Sequence, residues 1–234
     1  VQGAGGVIVP PETYWPEIQK ICDAHEILLI ADEVITGFGR TGNMFATQTF
    51  DIRPDIIAIA KGLSSGYAPI GGSVVREDVA RVLNDAGEFF HGYTYSGHPV
   101  ACAVALENIR LLEEEGVVNT VRTETSPHFS RGWETLGDHP LVGQTAHKGL
   151  MASITLTPNK ATRADFGDRA GEIGMICRDH AARFGLVMRA VGDRMIVAPP
   201  LTIKTHEIDL LLQRAKAALD ATLKELPTHG IAVA

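Results

Sequence analysis

The sequence is poor in the residues that staple, span or clamp a protein. It has three cysteines, Cys22, Cys102 and Cys177, and no CxxC spacing. An odd, scattered count excludes a disulfide framework and fits reduced thiols packed as small hydrophobic groups in a cytoplasmic protein. No apolar run approaches the roughly 20 residues that cross a bilayer, so a soluble chain with no membrane partner is expected. Excess positive charge is also missing. The formal net charge is −7 and no basic stripe appears, which argues against a nucleic-acid partner. The nine histidines form no HxH or HxxxH spacing, so no metal site is expected. The opening VQGAGGVIVPPETYW has no basic n-region and does not read as a secretory leader.

What is present is apolar and finely punctuated. The 234 residues are 45% hydrophobic, enough for one large domain or two smaller ones. Residues 7–9 read as a short strand stopped by Pro10 and Pro11. Thr13 is placed to cap a helix in which Trp15, Ile18, Ile21 and Cys22 recur at helical spacing. The uniformly apolar runs 27–31 and 56–60 read as strands covered on both faces, as in a parallel sheet, and a third run covers 70–75. Helices are expected over 99–115, ended by Gly116, and over 117–136. After Pro140, strands are expected at 150–156, 186–189 and 195–198. A helix is expected over 171–184, and another over 205–226 with Ile208, Leu211, Leu212, Ala215 and Leu219 on one face. The alternation predicts an α/β fold with a domain boundary near residue 118, giving domains 1–118 and 119–234.

Two strand ends carry charge. LLIADE delivers Asp32 and Glu33, and DIIAIAK delivers Lys61 one crossover later. In open α/β sheets, ligands collect outside the carboxyl ends of strands, so Asp32 and Lys61 are expected to face one crevice. A strand-end lysine is an amine nucleophile when burial or a nearby cation lowers its pKa. A buried carboxylate alongside would hold a cationic ring nitrogen, the pairing that pyridoxal phosphate requires. Glu33 reads as a structural acid pairing with Arg40 or another basic group. Gly37, Gly39 and Gly42 read as tight loop geometry rather than a phosphate cradle.

The strings LLIADEVITGFGRTGNMFA, PDIIAIAKGLSSGYAPIGG and HGYTYSGHPVACAVALENI closely resemble the class III (subgroup II) aminotransferases. GLVMRAVGDRMIVAPPLTIKTHEID resembles the C-terminal domain of the omega-transaminase, amine:pyruvate branch. The resemblance spans essentially the whole chain. It implies a fold-type I pyridoxal-phosphate-dependent transferase: part of the large mixed-sheet domain, followed by an α+β small domain. It also implies roles. Lys61 would carry the cofactor as a Schiff base and shuttle the proton, and Asp32 would keep the pyridine nitrogen protonated. Val34 would pack on the ring. Thr94 would reach the cofactor phosphate of the neighbouring subunit in a homodimer. Arg189 would bind the keto-acid carboxylate through its planar fork and swing aside for amines, with Arg194 as the competing candidate.

The implied reaction moves an amino group from a primary amine or ω-amino acid to pyruvate or a similar keto acid. A 2,1-aminomutase or decarboxylase would keep the same Lys61 and Asp32, and a catalytically incomplete fragment would keep the fold without turnover. Two departures stand out. The family reads Glu-Pro-Val-Gln where this chain opens with Val1-Gln2, so the chain is expected to correspond to the C-terminal half of a full-length enzyme. Where many relatives read Val-Arg-Gly-x-Gly-Leu-Met, it has Thr145-Ala146-His147-Lys148-Gly149-Leu150-Met151, which reads as variation at a turn of the small domain.

Overall fold

A computed structural model describes residues 1–233. The chain forms two compact units: Pro10–Asn119, and the residues from Thr120 onward together with Val1–Val9. Residues 1–9, expected with the first domain, therefore cluster with the second. Their expected strand reduces to a single antiparallel bridge between Gln2 and Ile8.

In the first unit, helix α1 (Tyr14–His25) begins after the two prolines. Thr13 occupies its N-cap position without making a side-chain cap bond, because its backbone is already helical. Strand β1 (Ile30–Asp32) is shorter than the apolar run suggested. After a short helix α2 (Ala46–Thr49) come β2 (Ile56–Ile59) and β3 (Gly72–Val75). β1 lies parallel to β2, and β3 is antiparallel to β2 on its other side, so the sheet is mixed. The expectation that β1 is covered on both faces fails within this chain: Ile30 is 61% exposed, and Ile27 and Leu28 are about half exposed. β1 is an edge strand, and α1 buries none of its own residues. Helix α3 (Glu77–Asp85) follows β3. Helix α4 (Pro99–Glu114) opens on a proline at its first turn and stops before Gly116, whose φ of 61° suits the left-handed exit. Asp55 ties this unit together, accepting the Leu29 N–H at 2.7 Å and pairing with Arg76 at 2.5 Å.

Helix α5 (Val117–Thr120) carries the chain from the first unit into the second, which continues with a π-helical turn (Val121–Thr125) and α6 (Ser126–Thr135) where one continuous helix was expected. Pro127 has no N–H for the carbonyl four residues back, and the widened turn precedes it directly. Strands β4 (Val142–Lys148) and β5 (Met151–Leu156) form a hairpin. β4 corrects the reading of residues 145–151 as a turn. Ala146 and His147 lie inside the strand, opposite Ser153 and Ala152, and only Gly149 and Leu150 turn. The mixed polar texture of β4, with Gln144, Thr145, His147 and Lys148 among its seven residues, hid it. Helix α7 (Glu172–Arg183), strands β6 (Arg189–Val191) and β7 (Arg194–Val197), and helix α8 (Thr205–Glu225) complete the unit. The strand expected at 186–189 starts only at Arg189. Leu186 and Met188 are buried in the connection from α7 instead.

The second sheet runs β4-β5-β7-β6, all antiparallel. Phe129 and Trp133 of α6 are fully buried, and the Trp133 indole N–H donates to the Ser153 carbonyl at 3.0 Å. From α8, Ile208, Leu211, Ala215 and Leu219 enter the core as the heptad-like spacing required, whereas Leu212 is only half-buried. All three cysteines are free thiols. Burial pushes the Cys177 thiol up to about 11, which makes it unreactive.

His139 is a buried histidine of this unit. Its Nδ1 accepts the Leu141 N–H at 3.1 Å, so the neutral ring carries its proton on Nε2. That nitrogen lies 3.3 Å from Asp220 Oδ1, too poorly aligned to count as a hydrogen bond. Burial pulls the imidazole below its usual range, and Asp220 opposes that only in part. The unfolded chain therefore takes up this proton more readily than the fold. Stability held at neutral pH is lost as pH falls through about 6.5 toward the folded value. Urea unfolding of the second unit should shift to lower denaturant between about pH 7.5 and pH 5.5, and His139→Gln should narrow that difference.

Candidate functional site

The site begins with register. Asp32 stands opposite Ala58 across the parallel pair, and the Glu33 N–H donates to the Ala58 carbonyl at 2.9 Å. Both strands thus leave the sheet at the same end, with Lys61 two residues past the last residue of β2. The sequence-based expectation of a buried Asp32 is not met in this chain: Asp32 and Lys61 are both exposed. The physical reason is the edge position of β1. Asp32 Oδ1 accepts the Val34 N–H at 3.0 Å, a local turn that holds the carboxylate beyond the strand end.

Lys61 has a left-handed backbone, φ 45°, at the start of a short 3-10 turn (Lys61–Leu63). A non-glycine residue there costs on the order of 1–3 kcal/mol and persists only where its surroundings enforce it. The surroundings are specific. Ser64, almost fully buried, donates its hydroxyl to the Ala68 carbonyl at 2.6 Å. Gly62 packs closely on Phe38, since a Cβ there would stand 3.0 Å from Phe38 Cβ and 3.3 Å from Phe38 Cδ2 and would require Phe38 to give way. Phe38 is buried and itself left-handed. The glycine loop after β1 therefore braces the turn after β2.

Glu33 is the buried acid of the pair. Its carboxylate accepts the Thr36 hydroxyl and the Thr47 N–H, the latter at 2.7 Å. It folds residues 33–47 back onto the end of β1. Removing it would strand two buried donors, about 1–3 kcal/mol each. Gly39 and Gly42 take φ near 95° in this loop, at 96° and 93°, consistent with tight turns.

Val34 is half-buried beside Asp32. Thr94 is exposed on a turn closed by Ser96 N–H donating to Tyr93 O at 2.9 Å. That turn borders a hollow of about 600 Å³ lined by Pro69, Gly71, Tyr93, Tyr95, His98 and Cys102. The structure thus joins Asp32, Val34 and Lys61 at the strand ends and carries Thr94 on a separate loop of the same unit.

Arg189 and Arg194 differ sharply. Arg189, the first residue of β6, is exposed. Arg194 is half-buried, donates from Nε to Thr155 Oγ1 at 3.0 Å, and lies under Gly6, where a Cβ would come within 2.3 Å of its Cδ. The hairpin joining them is pinned by Asp193, whose two oxygens accept the N–H groups of Gly171 and Gly174 at 2.7 and 2.8 Å. Asp193 thereby caps α7 from a distant strand turn. Sequence reading missed Asp193 as a cap because a remote cap leaves no local signature. It also missed Asn108, which the alanine-rich pattern of α4 concealed. Among the described residues, no cluster of three or more acidic, histidine or cysteine side chains is arranged for a metal.

Residues 1–219 match the aminotransferase class-III family. The chain is 55% identical over 222 residues to a putrescine–pyruvate aminotransferase of Pseudomonas aeruginosa, covering 95% of this chain and 48% of that protein. It superposes on an (S)-enantioselective omega-transaminase from Thermomicrobium roseum at a TM-score of 0.91, with 42% identity and coverage of 95% and 50%. It superposes on the omega transaminase of Pseudomonas jessenii in complex with PMP at 0.89, with 43% identity and coverage of 95% and 49%. The chain spans about half the length of the relatives it matches. Its fold is that of the fold-type I transaminases. With the family pattern matched over nearly its whole length and strand ends of this geometry, the chain belongs to the class-III aminotransferases.

Proposed function

We propose that the protein carrying this chain is a pyridoxal-phosphate-dependent aminotransferase that moves an amino group from a primary amine or ω-amino acid to pyruvate or a similar keto acid. Members of the class-III family depend on pyridoxal phosphate. A relative at 55% identity is named for putrescine and pyruvate. The observation that carries the reading is that the parallel strands β1 and β2 deliver an exposed Asp32 and an exposed, left-handed Lys61 to the same end of the sheet. This donor set fits the cofactor, which needs one amine and one acid at its ring nitrogen.

When bound, the cofactor supplies an electron sink for the charge left as the substrate Cα–H bond breaks. The rest falls to the chain. Lys61 Nζ holds the cofactor and moves the proton to and from the substrate carbon, acting as general base and acid. Asp32 keeps a proton on the ring nitrogen. Val34 packs against the ring and excludes water from that face. Thr94 donates its hydroxyl to a phosphate across a homodimer interface, and Arg189 forks onto the keto-acid carboxylate. Arg194 suits that last role less well, being already bonded to Thr155. In this reading residues 1–118 belong to the large cofactor-binding domain and 119–234 to the small domain of a cytoplasmic enzyme.

Lys61→Ala in the full-length protein should remove transaminase activity to below about one per cent while leaving the protein folded by circular dichroism. Activity near the parent level without added amine would refute the assignment. Arg189→Ala should raise KM for pyruvate about tenfold to a hundredfold and leave the half-reaction with a carboxylate-free amine nearly unchanged. Measuring both half-reactions for Arg189→Ala and Arg194→Ala assigns the role, since a selective pyruvate defect in the second variant would move it there.

A further inference from the structure

Asn108 sits on α4, one turn and a half before its end, and aims its amide at the turn that follows Lys61. Its Nδ2 donates to two successive carbonyls, Gly62 O at 2.9 Å and Leu63 O at 3.1 Å. Its Oδ1 accepts the Ser65 hydroxyl at 2.6 Å. One side chain thus binds three of the four residues after Lys61, from an element 43 to 46 residues further along the chain. Only a primary amide can do this, because the two carbonyls need a donor and the hydroxyl needs an acceptor within one planar group. The opposite side of the turn is closed by Phe38 against Gly62.

The clamp matters because of the backbone it holds. Lys61 and Ser65 are both left-handed at φ 45° and 50°, and a peptide free to relax would leave that region. Helix α4 is built to be a fixed base, with Ala101, Ala105 and Leu112 buried along one face. Fixing the carbonyls of residues 62 and 63 holds the peptide planes after Gly62 and Leu63. The Ser64 N–H that follows donates to the Lys61 carbonyl at 3.2 Å, so the clamp reaches the Lys61 backbone through this turn and bears on the direction in which Cβ and the amine depart.

We propose that Asn108 is a positioning residue for Lys61, setting the backbone geometry from which the lysine amine reaches the cofactor and the substrate carbon. The inference rests on the reading of Lys61 as the cofactor-bearing lysine. A displaced amine attacks and reprotonates at a poorer angle, so the defect should fall on turnover and not on substrate affinity.

The test uses the full-length holoenzyme and three readouts. Borohydride reduction followed by peptide mapping first asks whether the cofactor is attached to Lys61. A label on another lysine overturns the functional reading and this inference together. With the label on Lys61, Asn108→Ala should lower kcat of the amine half-reaction about tenfold with KM within about threefold of the parent. The pH midpoint of the visible cofactor band should shift by about half a unit or more, since the linkage nitrogen is held in a different setting. Ser65→Ala, which removes only the bond to Oδ1, should move both quantities in the same direction by less. Wild-type kcat and pH midpoint in both variants, with only the thermal midpoint lowered, would mean that Asn108 merely stabilises the fold and would overturn the inference. If Asn108→Ala does not fold, Ser65→Ala decides alone, and an unshifted midpoint there overturns it.

Discussion

The parallel pairing of β1 with β2 is the constraint on which the rest of the site depends. Antiparallel neighbours would send their ends to opposite edges of the sheet. Parallel ones deliver both to the same edge, and the Asp32–Ala58 register fixes how far apart the two chains leave. A slip of one residue would turn every side chain of β1 to the other face and carry Asp32 away. Register here is held from both ends. The Glu33 N–H closes the carboxyl end on Ala58, and Asp55 holds the amino end through Leu29.

Around that pairing the chain places two kinds of support. Buried polar groups fold the loops. Glu33 gathers Thr36 and Thr47, Ser64 reaches Ala68, and Asn108 spans the turn after Lys61. Apolar contact then limits how the loops can move, with Phe38 packed closely against Gly62. Each device is local and individually modest, of order 1 kcal/mol per net hydrogen bond. Their targets coincide on the few residues around Lys61 and Asp32, and that convergence is the physical content of preorganisation. The second unit follows a different plan, an antiparallel sheet under α6, α7 and α8 with Trp133 and Phe129 at the centre of a dry core.

Legibility in the sequence followed the range of the interactions. Long periodic elements such as α4, α7 and α8 were readable because an amphipathic face repeats many times. The strand-end charges were readable because they interrupt uniform apolar runs. β4 was not, since its alternation is diluted by Gly143, Gln144 and Lys148. The burial expected of Ile27–Ala31 was also misjudged: composition reports what a strand can tolerate on its faces, whereas exposure depends on what else is packed there. Glu33 was legible as a structural acid, but not the hydroxyl and peptide N–H that its carboxylate gathers, because nothing in the neighbouring sequence marks those partners. The contrast between Arg189 and Arg194 was invisible for the same reason, because Thr155 and Gly6 approach from far along the chain.

The Asp193 clamp has a consequence for timing. With both carboxylate oxygens engaged by the amino end of α7, the β6–β7 hairpin is welded to a helix and not free to bend. An arginine rooted at the base of such a hairpin changes position through its own side-chain torsions. Exposed rotamers exchange in picoseconds to nanoseconds, whereas loop and hinge rearrangements take microseconds or longer. Under the reading proposed above, alternation between a charged and an uncharged substrate would be far faster than a typical turnover. Arg189 would then be at conformational equilibrium throughout the catalytic cycle, and its two positions would enter the kinetics only as a ratio of populations.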